Sequence, residues 1–193
     1  MKVIKLKENA KKIAEIVVKS IKEGKVVVFP TDTVYGLLAD ATNERVVKRI
    51  FEIKMRDEEK PVPIFVKDMR MAKKLAFIDQ EKEKILQYSW PGKVTFVLDN
   101  KEILPRIFKE KIGLRIPHYE MLNEILEKLD IPLTGTSANI SGKPGSGLIK
   151  EVLSQFKSKK FQPDLVVDAG NLPKSKSSTV LDLTTSPPTI LRA

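Results

Sequence analysis

Cysteine is absent from these 193 residues, and histidine and tryptophan each occur once. Without cysteine there is no disulfide framework and no thiolate metal site, and a reducing cytosol is the natural compartment. The lone histidine, His118 in Ile116-Pro-His-Tyr119, has neither a G-x-S-x-G elbow nor a cysteine nucleophile to work with. Triad hydrolysis and transition-metal catalysis are therefore disfavoured. Long apolar runs are missing too, none approaching the roughly 18 residues that cross a bilayer. The opening Met1-Lys-Val-Ile-Lys-Leu-Lys7 lacks the apolar core of a signal peptide. A cytoplasmic protein with no membrane contact is expected.

What is present is ordinary globular material, 41% hydrophobic and 31% charged, and its length suits one domain over residues 1–193. Lys and Arg number 35 against 25 Asp and Glu, a balance of 35 − 25 = +10. Such an excess suits anionic partners such as nucleotides or RNA, or else a Lys- and Glu-rich solvated surface. Aromatics make up only 6% and the basic residues are scattered, which weighs against a base-stacking groove.

Helical and strand patterns alternate from end to end. Ala10, Ile13, Ala14, Val17 and Ile21 form a helical stripe, and Asn43 caps a helix facing inward through Val46, Val47, Ile50 and Phe51. Extended runs are predicted at 26–29, 61–66, 94–98, 113–116, 132–136, 165–168, 179–183 and 189–192. Helices are predicted near 69–75, 80–88, 119–129 and 148–156. The pattern predicts a single α/β domain on a twisted, mixed parallel and antiparallel sheet flanked by helices.

Polar clusters break this pattern at strand and helix ends. Val26-Val-Val-Phe-Pro30 empties into Thr31-Asp-Thr-Val-Tyr-Gly36, a set of hydroxyls, a carboxylate and a phenol on a loop anchored by a buried strand. Lys54-Met-Arg56 ends a helix whose dipole those cations complement on a solvated face, yet Arg56 and Lys60 stand where a fork of donors holds phosphate or carboxylate. Trp90-Pro-Gly-Lys93-Val-Thr95 reads as a packed turn feeding a strand, with Thr95 a candidate to face a pocket. Arg115, centred in apolar Gly113-Leu-Arg-Ile-Pro117, must meet an internal carboxylate or an anionic ligand. Thr134-Gly-Thr-Ser137-Ala-Asn139-Ile-Ser141 leads into a glycine-rich turn through Gly145, where backbone N–H groups can cradle an anion. Ser178 and Arg192, taken alone, are an edge hydroxyl and a terminal surface charge.

In this order the clusters resemble the YrdC/TsaC family, the threonylcarbamoyl-AMP synthases, over essentially the whole chain. The resemblance implies a large cavity in the α/β fold that binds ATP, L-threonine and bicarbonate, with Mg²⁺ accompanying the nucleotide. It implies formation of threonylcarbamoyl-AMP and pyrophosphate, with the product passed to transferase partners that modify tRNA. Carried over by motif, Thr33, Arg115 and Ser178 contact threonine. Lys54, Arg56, Lys60, Ser137, Asn139, Gly145 and Arg192 serve the nucleotide, with Lys54 and Arg56 the most critical. No side-chain nucleophile and no protein-held metal is implied.

The chain departs from the pattern in places. Asp32 stands where many relatives carry Glu. Phe65 occupies the strand position at which many archaeal and eukaryotic relatives have a threonine-contacting histidine. The chain also stops at Ala193, so the extra C-terminal domain of longer members is not expected. Two other readings compete with the synthase: a module of the same fold that binds double-stranded RNA or tRNA, and a carbamoyl-adenylating relative like the domain embedded in hydrogenase-maturation proteins.

Overall fold

In a computed structural model, which describes residues 1–6 and 9–193, the strands divide between two sheets. The first runs in the order β1 (Lys2–Lys5), β9 (Leu165–Asp168), β2 (Val27–Phe29), β3 (Gly36–Leu38) and β8 (Thr136–Ser137). The second runs β11 (Thr189–Arg192), β10 (Thr179–Asp182), β5 (Val94–Asp99), β6 (Lys111–Arg115), β4 (Ile64–Phe65) and β7 (Leu133–Thr134). The α/β class and the mixed pairing are as expected, but the expected single sheet is two. They part at Gly135, where the chain steps from β7 to β8. A Cβ there would lie 2.9 Å from the Phe65 ring, so the step requires glycine.

Both faces of the centre of the first sheet are covered, which is why β2, β3 and β9 read as apolar runs. On one face Val27, Phe29, Leu165 and Val167 pack with the stripes of α1 (Ala10–Lys22) and α5 (Glu120–Leu129). Residues of opposite parity, Val28, Leu37 and Val166, join a larger core with α2 (Glu44–Lys54) and α6 (Ile149–Phe156). Each fully buried aliphatic stabilises the fold by about 1.5–3 kcal/mol.

The second sheet is two-faced. Phe96, Leu98, Ile112 and Leu114 enter the larger core beside α3 (Met69–Leu75) and α4 (Gln80–Ser89), while Thr95, Val97, Gly113 and Arg115 line a cavity. Period-two alternation thus makes one face of β5 and β6 structural and the other functional. The extended run expected at 61–66 shortens to two residues, because Pro61 and Pro63 have no N–H for a ladder. Two strands were not anticipated. β1 has a charged, solvent-facing pattern, and β3 follows at once on the polar loop and pairs antiparallel with β2. Among the described residues no helix is long and apolar enough to cross a membrane.

Candidate functional site

A cavity of about 580 Å³ opens between the two sheets. Among the described residues its wall carries six cationic side chains, Lys54, Arg56, Lys111, Arg115, Lys143 and Arg192, against one carboxylate, Asp182. That imbalance in a concave enclosure favours anions. Thr33, Ser137, Asn139, Gly145 and Ser178 share the wall, so nine of the ten predicted contact residues converge there. Lys60 is the exception. Its side chain is exposed and off the wall, and only its carbonyl takes part, accepting a 3.2 Å bond from Arg56 Nε.

Lys54 and Arg56 arrive by way of the α2 terminus. Asn43 caps the start of the helix, and Met55 ends it in the left-handed region at φ 49°, a conformation that costs a non-glycine residue about 1 kcal/mol or more. That turn sends the two cations flanking Met55 onto the cavity while Met55 itself faces solvent. Contrary to the solvated-cap expectation, Lys54 is only 1% exposed. Its Nζ donates to Ser137 O at 2.6 Å, Asn139 O at 3.0 Å and Asn139 Oδ1 at 3.2 Å. Its carbonyl accepts from Ser141 N at 2.7 Å. Lys54 therefore grips the 137–141 loop at both ends of the residue. Burial, with neighbouring Arg56 adding to it, pushes its ammonium down to about 7.

Asn139 extends the grip. Its Oδ1 also accepts from Ser137 Oγ, and its Nδ2 donates to Ile140 O at 2.9 Å and Lys143 O at 2.6 Å. Arg56 braces the next loop through Lys60 O and, from Nη2, Pro61 O at 3.1 Å, and burial lowers its pKa. Its Nη1 has no protein partner among the described residues. Gly145 closes in on Ser137, where an added Cβ would sit 3.0 Å from the serine Cβ.

The open alternative for Arg115 resolves toward an internal carboxylate. Its Nη2 lies 2.6 Å from Asp32 Oδ1, and its Nε donates to Gly92 O at 2.7 Å. Burial lowers its pKa, while Asp32 pulls the other way. The Phe65 ring lies 5.7 Å from the guanidinium carbon and offers it a cation–π face. Thr33 stands beside it, held by Thr31 Oγ1, which lies 3.1 Å from both Thr33 N and Thr33 Oγ1.

Ser178 and Arg192 are not the independent surface groups they seem in isolation. Arg192 donates from Nε to Ser178 O at 2.9 Å and from Nη2 to Ser178 Oγ at 3.1 Å. Ser178 Oγ is also 2.9 Å from Thr95 Oγ1, so Thr95 does face the pocket. Trp90 packs as expected, edge-on to Phe96, with its indole N–H donating to Val94 O at 2.8 Å. Sequence reasoning missed Lys111 and Asp182. Alternation held the signal: Lys111 shares the parity of Arg115 on β6, and Asp182 that of Ser178 and Val180.

Mg²⁺ finds no ready-made ligand set among the described residues. No group of three His, Cys, Asp or Glu side chains is placed to hold a metal, and Asp182 Oδ1 is already taken by Thr184 N and Oγ1.

Known proteins share this architecture. A threonylcarbamoyl-AMP synthase of Pyrococcus abyssi is 39% identical over 176 residues, which are 89% of this chain and 51% of that protein. A putative threonylcarbamoyl-AMP synthase of Methanocaldococcus jannaschii is 37% identical over 187 residues, 94% of this chain and 87% of the other. The structure of P. abyssi Sua5 complexed with L-threonine aligns at a TM-score of 0.88 and 36% identity, covering 99% of this chain and 56% of that one. This chain thus spans about half the length of the P. abyssi protein. The family model for Sua5, YciO and YrdC, described as telomere recombination, matches residues 19–193, and the chain belongs to that family.

Proposed function

We propose that the protein condenses L-threonine, bicarbonate and ATP to threonylcarbamoyl-AMP and pyrophosphate. The observation that carries this reading is a cavity whose wall, among the described residues, holds six cations and one carboxylate but no cysteine or histidine. ATP, bicarbonate and the threonine carboxylate bring repelling negative charges together, and their chemistry needs alignment and charge stabilisation rather than a nucleophilic side chain. The threonine amine and bicarbonate give a carbamate with loss of water. A carbamate oxygen then bonds to the α-phosphorus as the bridging oxygen to the β-phosphorus leaves with pyrophosphate.

In this scheme the free edge of Arg115 and the Thr33 hydroxyl receive the threonine carboxylate, and the Ser178 hydroxyl approaches the amino acid from the opposite sheet edge. Arg56 and Arg192 meet the phosphates. Lys54 and Asn139 shape the Ser137–Gly145 loop around them. Mg²⁺ would travel on the phosphate oxygens of ATP and neutralise part of their charge. Delivery of the product to tRNA-modifying transferase partners, any direct contact with RNA, and a cytoplasmic setting belong to the same proposal.

The test is pyrophosphate release from ATP and bicarbonate, with and without L-threonine, coupled to rapid capture of the labile adenylate. Release that depends on threonine is expected. Release without threonine, or none with it, refutes the reading.

A further inference from the structure

Asp32 touches the cavity wall only from behind. It is absent from the lining, yet it holds one residue of the wall, through Oδ1 to Arg115 Nη2 at 2.6 Å, while its Oδ2 accepts from His118 N, outside the wall, at 3.1 Å. The Asp32 and Arg115 side chains are only 7% and 4% exposed. A buried ion pair of this kind contributes little net stability, because desolvating both partners offsets most of their attraction. Its effect here is directional. Gly92 O fixes Nε and Asp32 fixes Nη2, which leaves Nη1 as the edge turned toward Thr33 Oγ1, 3.5 Å away. The Phe65 ring backs the guanidinium and limits its tilt. Gly92 N in turn donates to Ile116 O at 3.0 Å, so the acceptor that holds Nε is itself tied to the Arg115 strand end.

We propose that Asp32 is a positioning residue: it aims the Nη1 edge of Arg115, beside the Thr33 hydroxyl, at the substrate carboxylate without touching substrate. The inference rests on the reading that Arg115 receives the threonine carboxylate. A competing role is physically coherent, since a carboxylate already bound to Arg115 competes with an incoming anion for the guanidinium. Geometry decides for positioning. Asp32 occupies Nη2 rather than the cavity-facing edge, and its second oxygen is committed to His118 N. Displacing it would orphan a buried carboxylate.

The experiment measures dissociation constants for L-threonine and L-threoninamide, which lacks the carboxylate, by calorimetry with saturating non-hydrolysable ATP analogue. The proteins are wild type, Asp32→Asn, Asp32→Glu, Arg115→Lys and Asp32→Asn with Arg115→Lys. Asp32→Asn should weaken threonine about tenfold, the scale of one charge-assisted hydrogen bond, and threoninamide less than twofold. In the Arg115→Lys background the same change should add less than twofold. Unchanged or tighter threonine binding in Asp32→Asn overturns the inference, as does an equal loss for both ligands. If Asp32→Asn does not fold, Asp32→Glu decides: a loss confined to threonine supports positioning, and equal losses overturn it. If Arg115→Lys leaves threonine affinity untouched, the carboxylate reading itself has failed. If Arg115→Lys weakens threonine and Asp32→Asn does not, only the positioning inference falls.

Discussion

Lys54 and Arg115 are both buried cations on one cavity wall, but they are compensated in opposite ways. Arg115 faces a buried carboxylate, whereas Lys54 is surrounded by three neutral oxygens from a single loop. Neutral acceptors satisfy an ammonium's hydrogen bonds while leaving its charge uncancelled. Below about pH 7 Lys54 therefore adds its charge to that of Arg56 beside it, and above it Arg56 carries the positive field suited to phosphates. The Arg115 pair is close to neutral, and what it offers a ligand is direction.

The largest test of this contrast is Arg56→Ala. It deletes a cation that among the described residues has no carboxylate partner and has one guanidinium nitrogen without a protein partner. Threonine-dependent pyrophosphate release should fall by about 10³-fold, the usual cost of losing a cation that stabilises phosphoryl transfer. The melting temperature should move little, because the residue braces only an exposed loop. Turnover near wild type would break the assignment of the field to this region.

Lys54→Met comes next, with about 10²-fold lower turnover expected from a loosened Ser137–Asn139 loop. It also carries a pH signature. The fold holds this proton less tightly than the open chain does, so between about 7 and the ordinary lysine value of 10.5 the unfolded chain binds more protons and stability rises with pH. The slope has a ceiling of about 1.4 kcal/mol per pH unit, and the three oxygens that favour the charged form lower it. Denaturant midpoints of wild type and Lys54→Met, compared from pH 7 to pH 9, should diverge, with wild type gaining more. Parallel curves would mean that Lys54 keeps its proton throughout.

The same contrast explains what could be read from sequence. The helices were legible because their stripes and caps are local: Asn43 and the face from Val46 to Phe51 need only a window of nine residues. The site clusters were legible as strand-end polar runs and by their ordered resemblance to a family. The split into two sheets was not, because Gly135 matters only through its contact with Phe65, seventy positions away in the chain. Lys54 looked like a solvated helix cap because the loop that buries it lies 83 and 85 residues downstream. Arg115 was recognisably in need of an anion, but nothing local to it could say that Asp32 supplies one.

Salt gives the smallest effect and the finest discrimination. Arg56 and Arg192 are partly exposed, so their field is screened as the Debye length shrinks from about 10 Å at 0.1 M salt. The sealed Arg115–Asp32 pair presents little net charge to screen. Raising KCl should increase the KM for ATP a few-fold and leave the KM for threonine nearly unchanged. ATP also bears more charge than threonine, so that difference alone is ambiguous. Asp32→Asn removes the ambiguity: it restores a full charge to Arg115 and should give threonine a salt dependence that wild type lacks. If the threonine KM of wild type already climbs with salt as steeply as in Asp32→Asn, Asp32 does not neutralise Arg115 as the ligand sees it, and the two buried cations are not the different devices proposed above.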